Sequence, residues 1–171
     1  PFPDRLHLGL ARLFELGGSV DPDGKLLPEL QAKRNQRMAY YGLLGGHLGE
    51  TERLEREVEF WRGAGEGLST QYELWDALNR FARRVGVTGP LAKAYQVAME
   101  GVEVAEALEA ARPLASSLLT LGQIDKSQGR YEAAREQIGR ALALNEQLGN
   151  LDGQSACLLV LGQIDESQGR Y

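Results

Sequence analysis

Few side chains in this sequence are of the kinds that carry out chemistry, and their spacing decides what each can do. His7 and His47 lie on different predicted helices, and neither belongs to a set of cysteines or carboxylates at metal-ligand spacing, so no metal is expected. Cys157 stands where Ser117 stands forty residues earlier, which reads as a small packed side chain; a nucleophile would need a base within reach. Asp125 and Asp165, each followed two residues later by serine, suggest a carboxylate pair. The same spacing sets them one frame apart on equivalent helices, so a structural salt bridge to an arginine of a second helix is the expected role. Asp21-Pro22-Asp23-Gly24 begins like a calcium loop, but the third acidic ligand and the distal glutamate are missing, and an ordinary turn is expected. The glycine-rich stretch 42–51 lacks the lysine a phosphate loop carries before its threonine, and Glu50 there would repel a phosphate. The GAGEG run at 63–67 is read as a linker. Arg80, Arg83 and Arg84 are expected near a helix C-terminus, where the macrodipole favours cations. Taken together these residues predict no catalytic site, no cofactor and no enzyme activity.

The elements that would position these residues are set by a repeat. LLTLGQIDKSQGRY at 118–131 returns as LLVLGQIDESQGRY at 158–171, with twelve of fourteen positions identical and only Thr120/Val160 and Lys126/Glu166 differing. A fixed period of this length marks a repeat array. Gly49, Gly89, Gly129 and Gly169 stand in forty-residue register, and equivalent turns are expected at all four, because glycine tolerates the left-handed backbone that ends a helix. Ser117, Leu118, Leu121, Gly122 and Asp125 fall on one face of a 3.6-residue period, and Tyr131, Ala134, Ile138, Ala141 and Leu142 do the same in the following segment. Each frame therefore reads as a helical hairpin. Gly122 and Ala134 allow close approach, and Leu121 and Tyr131 fill the space beside them. Thr70-Gln71-Tyr72-Glu73 reads as a capping box, Pro90 and Pro113 as first-turn prolines, and Asp152 as the cap of the last helix.

This pattern of small and large positions resembles the tetratricopeptide repeat, here at Leu118, Leu121-Gly122, Gly129, Tyr131, Ala134, Ile138 and Ala141. The preceding frame keeps Phe81, Ala82, Gly89, Leu91, Ala94 and Gly101; the first keeps Tyr41, Gly42 and Gly49 but has Leu54 where a small residue belongs. Asp125 and Asp165 occupy a usually aromatic place, and Glu146 replaces a frequent proline. A forty-residue period exceeds the usual 34, implying longer helices, as in the extended repeats of bacterial regulatory proteins. The resemblance implies an all-α, right-handed α-solenoid of antiparallel hairpins. Its divisions would be an irregular N-terminal helix and turn over 1–25, a degenerate hairpin over 26–68, hairpins over 69–110 and 111–150, and a single first helix over 151–171. The family's concave groove would be lined by Asn79 and Arg83, then Leu119, Gln123 and Lys126, then Leu159, Gln163 and Glu166. Only Asn79 and Arg83 match the subgroup that clamps chaperone C-termini, so that ligand is not expected.

At 171 residues with 43% hydrophobic and 25% charged residues, the chain suits one domain with a core between successive repeats. Its net charge of −5 carries no footprint of nucleic-acid binding. No apolar run approaches membrane-spanning length, and one cysteine rules out an internal disulfide framework and agrees with a reducing cytoplasm. Because residue 171 is the first of a second helix, a fragment of a longer chain is expected, with either a second copy or further native sequence covering residues 155–171. The functional expectation is a non-catalytic, cytoplasmic scaffold that binds a peptide or protein segment. The alternative is the sensor arm of a larger signalling ATPase or caspase-like protease.

Overall fold

The computed structural model describes residues 49–170 apart from Glu66. The chain divides into two compact units, 1–48 and 49–171, and the described residues belong to the second. The helix expected over 4–16, the Asp21–Gly24 turn, both histidines, the first half of the 26–68 hairpin and Tyr171 lie outside the described residues.

The described chain is all-helical, without strands: α1 (Glu50–Gly63), α2 (Leu68–Thr88), α3 (Leu91–Ala107), α4 (Ala111–Ser127), α5 (Tyr131–Gln147) and α6 (Leu151–Ser167). The last four are each 17 residues long. They begin at 91, 111, 131 and 151, so the forty-residue period resolves into two equal halves of helix plus three-residue turn. The turns explain the regularity. After α4, Gly129 adopts φ 74°, its N–H reaches the Lys126 carbonyl, and the Arg130 N–H closes back on the Asp125 carbonyl at 2.9 Å. The same paired bonds follow α5 at Gly149 and α6 at Gly169. This arrangement satisfies carbonyls that a helix end leaves free, and it needs a left-handed residue. Glu109, the counterpart of Gly149, is forced into the same region at φ 49°.

Three local expectations are corrected. Gly49 and Gly89 do not share this turn: Gly49 is the extended N-cap of α1 at φ −60°, and Gly89 follows α2 with φ −126° and ψ −169°. Gly89 is instead a close approach, because a Cβ there would lie 2.9 Å from Val85 Cγ1. The Thr70–Glu73 capping box does not start α2; the helix begins at Leu68 behind Gly67, and Thr70 is buried within it. The cap of α6 is Asn150, whose side chain accepts from the Gly153 N–H, rather than Asp152.

Each helix packs on the next, and α2 also meets α4, which meets α6. One continuous apolar cluster runs from Leu54 and Val58 through Leu78, Phe81 and Val85 to Leu118, Leu121, Ile138, Cys157, Val160 and Ile164. A smaller one gathers Trp75, Ala105 and Leu108, with Tyr72 against Trp75 at 5.1 Å between ring centroids. A close approach lies where the small residues predict it. At Gly122 even a Cβ would stand 2.6 and 2.7 Å from the Ile138 side chain and 3.3 Å from the Ala134 carbonyl oxygen, so α4 and α5 meet without room for another carbon.

Candidate protein interface

The eight groove positions lie on α2, α4 and α6, the helices that follow one another along one side of the packed pairs. The structure divides them into two kinds. Arg83, Gln123, Leu159 and Glu166 are exposed, so their polar and apolar groups are open to a partner. The others are engaged within the chain. Lys126 Nζ donates to Gln163 Oε1 at 2.5 Å and ties α4 to α6, while Leu119 is half-buried against the apolar core.

Asn79 is placed differently from its groove expectation. It is buried, its Nδ2 donates to Ser116 Oγ at 2.8 Å, and its Oδ1 accepts from Thr120 Oγ1 at 2.7 Å. Both partners are on α4, so Asn79 is a bolt between helices whose hydrogen-bonding capacity is spent inside. One turn back, Trp75 Nε1 donates to Ser117 Oγ at 2.7 Å, and Ser117 reaches the Gly101 carbonyl at 3.2 Å, joining α2, α3 and α4. A signal for the first bolt was present in the repeat. Forty residues on, Asn79, Ser116 and Thr120 become Leu119, Ala156 and Val160, a polar trio replaced as a set by an apolar one.

The charged side chains sort mainly into structural pairs. Arg80 holds Glu57 at 2.6 Å and Asp76 at 2.9 Å, and Arg84 lies 3.3 Å from Glu50. Because α2 continues to Thr88, no basic residue sits in its last turn, and the macrodipole role expected of these arginines gives way to ion pairing with α1. Asp165 pairs with Arg135 of α5, a second helix as expected, whereas Asp125 pairs at 2.5 Å with Arg130 in the turn. Burial pushes the Asp125 carboxyl up from its ordinary value, opposed by the Arg130 hydrogen bond. Burial likewise pushes the Cys157 thiol up, against a weaker opposing contact from Asn145. Cys157 is fully buried, the environment of an inert packing residue.

On the other side of the helices, a cavity of about 320 Å³ opens between α1, α2 and α3, with Val58, Phe81 and Val97 among its lining residues. Ion pairs Arg62–Glu100 and Lys93–Glu55 border it, and the Lys93 ammonium lies 5.3 Å from the Phe81 ring centre. Four of its five charged lining residues are matched in these pairs, with Glu59 beside them. Among the described residues no group of three or more histidines, cysteines and carboxylates is placed to hold a metal, and no helix is long and apolar enough to cross a membrane.

Comparisons of the chain with the patterns of known protein families, with curated proteins and with solved structures each returned no match.

Proposed function

We propose that residues 69–171 form a tetratricopeptide-like, right-handed helical array acting as a non-catalytic, cytoplasmic protein-interaction scaffold. The partner is a peptide or protein segment lying along α2, α4 and α6. The observation that carries this reading is that three repeat-equivalent helices present exposed side chains on one face: Arg83 and Gln123 at the same repeat position, and Leu159 one turn before their counterpart Gln163. An exposed row along a stack of repeat-equivalent helices suits an extended ligand. Its mixed character, one cation, one amide and one leucine, favours a segment with acidic and apolar side chains in alternation.

The test is site-specific photo-crosslinking. A photoreactive residue at Arg83, Gln123 or Leu159 should capture one common partner from a lysate, and one at Glu103 or Glu136 on the second helices should not. Equal capture from the second helices would place the interface elsewhere. Replacing Arg83, Gln123 and Leu159 together should remove that partner without changing the helical signal.

A further inference from the structure

We infer that the cavity between α1, α2 and α3 is a binding site for a small organic cation, an alkylammonium joined to an apolar body, with Glu59 as its counter-ion. Two ion pairs cross from α1 to α3, Glu55 to Lys93 and Arg62 to Glu100. On each helix the paired residues are seven apart, two turns or about 10 Å along the axis, so the pairs stand at the two ends of a slot of about 320 Å³. Buried Val58, Phe81 and Val97 supply its apolar lining. The repeat shows that this slot is particular to its junction. Forty residues on, Glu55, Glu59 and Arg62 become Tyr95, Met99 and Val102. There Tyr95 and Met99 pack against the apolar core and Val102 is buried, so α3 puts apolar bulk where α1 holds three charged side chains around a cavity.

Charge decides the ligand. The lining holds three carboxylates and two cations, and the two bridges match two of each. Glu59 is the carboxylate left over, exposed and without an ion-pair partner among the described residues. Its field is felt nearby: Arg62 is held above its ordinary pKa first by the Glu100 hydrogen bond, against burial, with Glu59 and Glu55 adding attraction. A monocation therefore completes the charge balance, and an anion of the same shape would meet an unmatched carboxylate. Lys93 already rests against Phe81, so the ligand's ammonium belongs at Glu59 and its apolar body against Val58 and Val97. The volume sits at the small end of ligand cavities, which run from about 300 to about 1,000 Å³, and a bridge at each end shortens the slot. Both features select a free small molecule over the same ammonium presented on a lysine of a protein.

The experiment titrates the 171-residue chain with phenethylammonium and follows amide chemical shifts by NMR. Saturable shifts should centre on 55–62, Phe81 and 93–100. The neutral isostere 2-phenylethanol should bind at least fivefold more weakly, and 3-phenylpropionate should not saturate. Glu59→Gln, which keeps the size of the side chain, should weaken the ammonium at least fivefold. Glu59→Met copies the residue of the next frame and should do at least as much, with circular dichroism unchanged because the position is exposed. Glu103→Gln, on α3 but outside the slot, should leave binding as it is. Nα-acetyl-lysine methylamide carries the other source of the same ammonium and should bind at least fivefold more weakly than phenethylammonium. Absence of saturable shifts in the slot, equal binding of the alcohol, or unchanged binding by Glu59→Gln would each overturn the assignment. Tighter binding of the lysine derivative would overturn it too, by making the slot a docking point for a protein.

Discussion

Helices α4 and α6 carry the same residues at eight of their last ten positions, yet they sit in different surroundings. Both are 17 residues long and end in the same left-handed glycine turn. In both, the face toward the preceding pair is buried, Ser117 and Ile124 in one, Cys157 and Ile164 in the other. They part on the opposite face: Leu118 is fully buried and Leu158 is 57% exposed. Even the shared aspartate differs. Asp125 turns to Arg130, whose guanidinium lies 4.0 Å from the Tyr95 ring centre, but where Tyr95 has its counterpart the chain has Arg135, and that arginine takes Asp165. Local sequence determines the helix and its cap; what the helix buries, and whom it pairs with, is determined by residues twenty to forty positions away.

The largest consequence is for the paired leucines. Leu118→Ala removes a fully packed side chain and should cost about 2–5 kcal/mol, whereas Leu158→Ala at its exposed site should stay within about 0.5 kcal/mol. Urea unfolding of both variants measures this, and equal losses would mean that the two faces are equally covered. Smaller but of opposite sign are the paired glycines. Gly122→Ala sets a methyl against Ile138 and should cost about 1–3 kcal/mol, while Gly162→Ala meets open space and should gain about 0.5–1 kcal/mol from helix propensity.

Much of the architecture could be read in the residues. The hairpins, the close approach at Gly122 and the turns at Gly129 and Gly169 follow from a period of forty and from which residues tolerate a left-handed backbone. Gly49 and Gly89 stand in the same register and were legible only as glycines, since register does not distinguish positive φ from an N-cap or a close contact. Thr70–Glu73 matches a capping box, but Gly67 ends the preceding connection first. Asn79 shows the limit for the interface. Its frame position points to the groove, and its burial depends on Ser116 and Thr120 of the next frame, a relation that only the set replacement by Leu119, Ala156 and Val160 betrays.

That replacement supplies the next test. Thr120→Val alone removes the hydroxyl that donates to Asn79 Oδ1 at 2.7 Å and should cost about 1–3 kcal/mol. Adding Asn79→Leu and Ser116→Ala copies the apolar trio of the following frame and should recover most of the loss. If the triple variant is no better than the single one, the two junctions are not interchangeable.

The smallest expected effect concerns pH. Because burial raises the folded-state pKa of Asp125 above its unfolded value of 3.8, its contribution to stability is complete below 3.8 and is lost as pH rises through the folded value. Relative to the wild type, Asp125→Asn should therefore gain stability as pH rises across that window. Urea midpoints taken through the window read the difference, and one that moves the other way would show that Arg130 outweighs desolvation.

The most direct measurement of the contrast between the two helices is hydrogen exchange of the amides in 118–126 and 158–166 at low protein concentration. Their intrinsic exchange rates are nearly matched, because only Thr120/Val160 and Lys126/Glu166 differ, so any difference in protection reports surroundings rather than sequence. Helix α4, covered on both sides, should exchange at least tenfold more slowly than α6. Equal protection would contradict the open face of α6 and, with it, the distinction between the two copies.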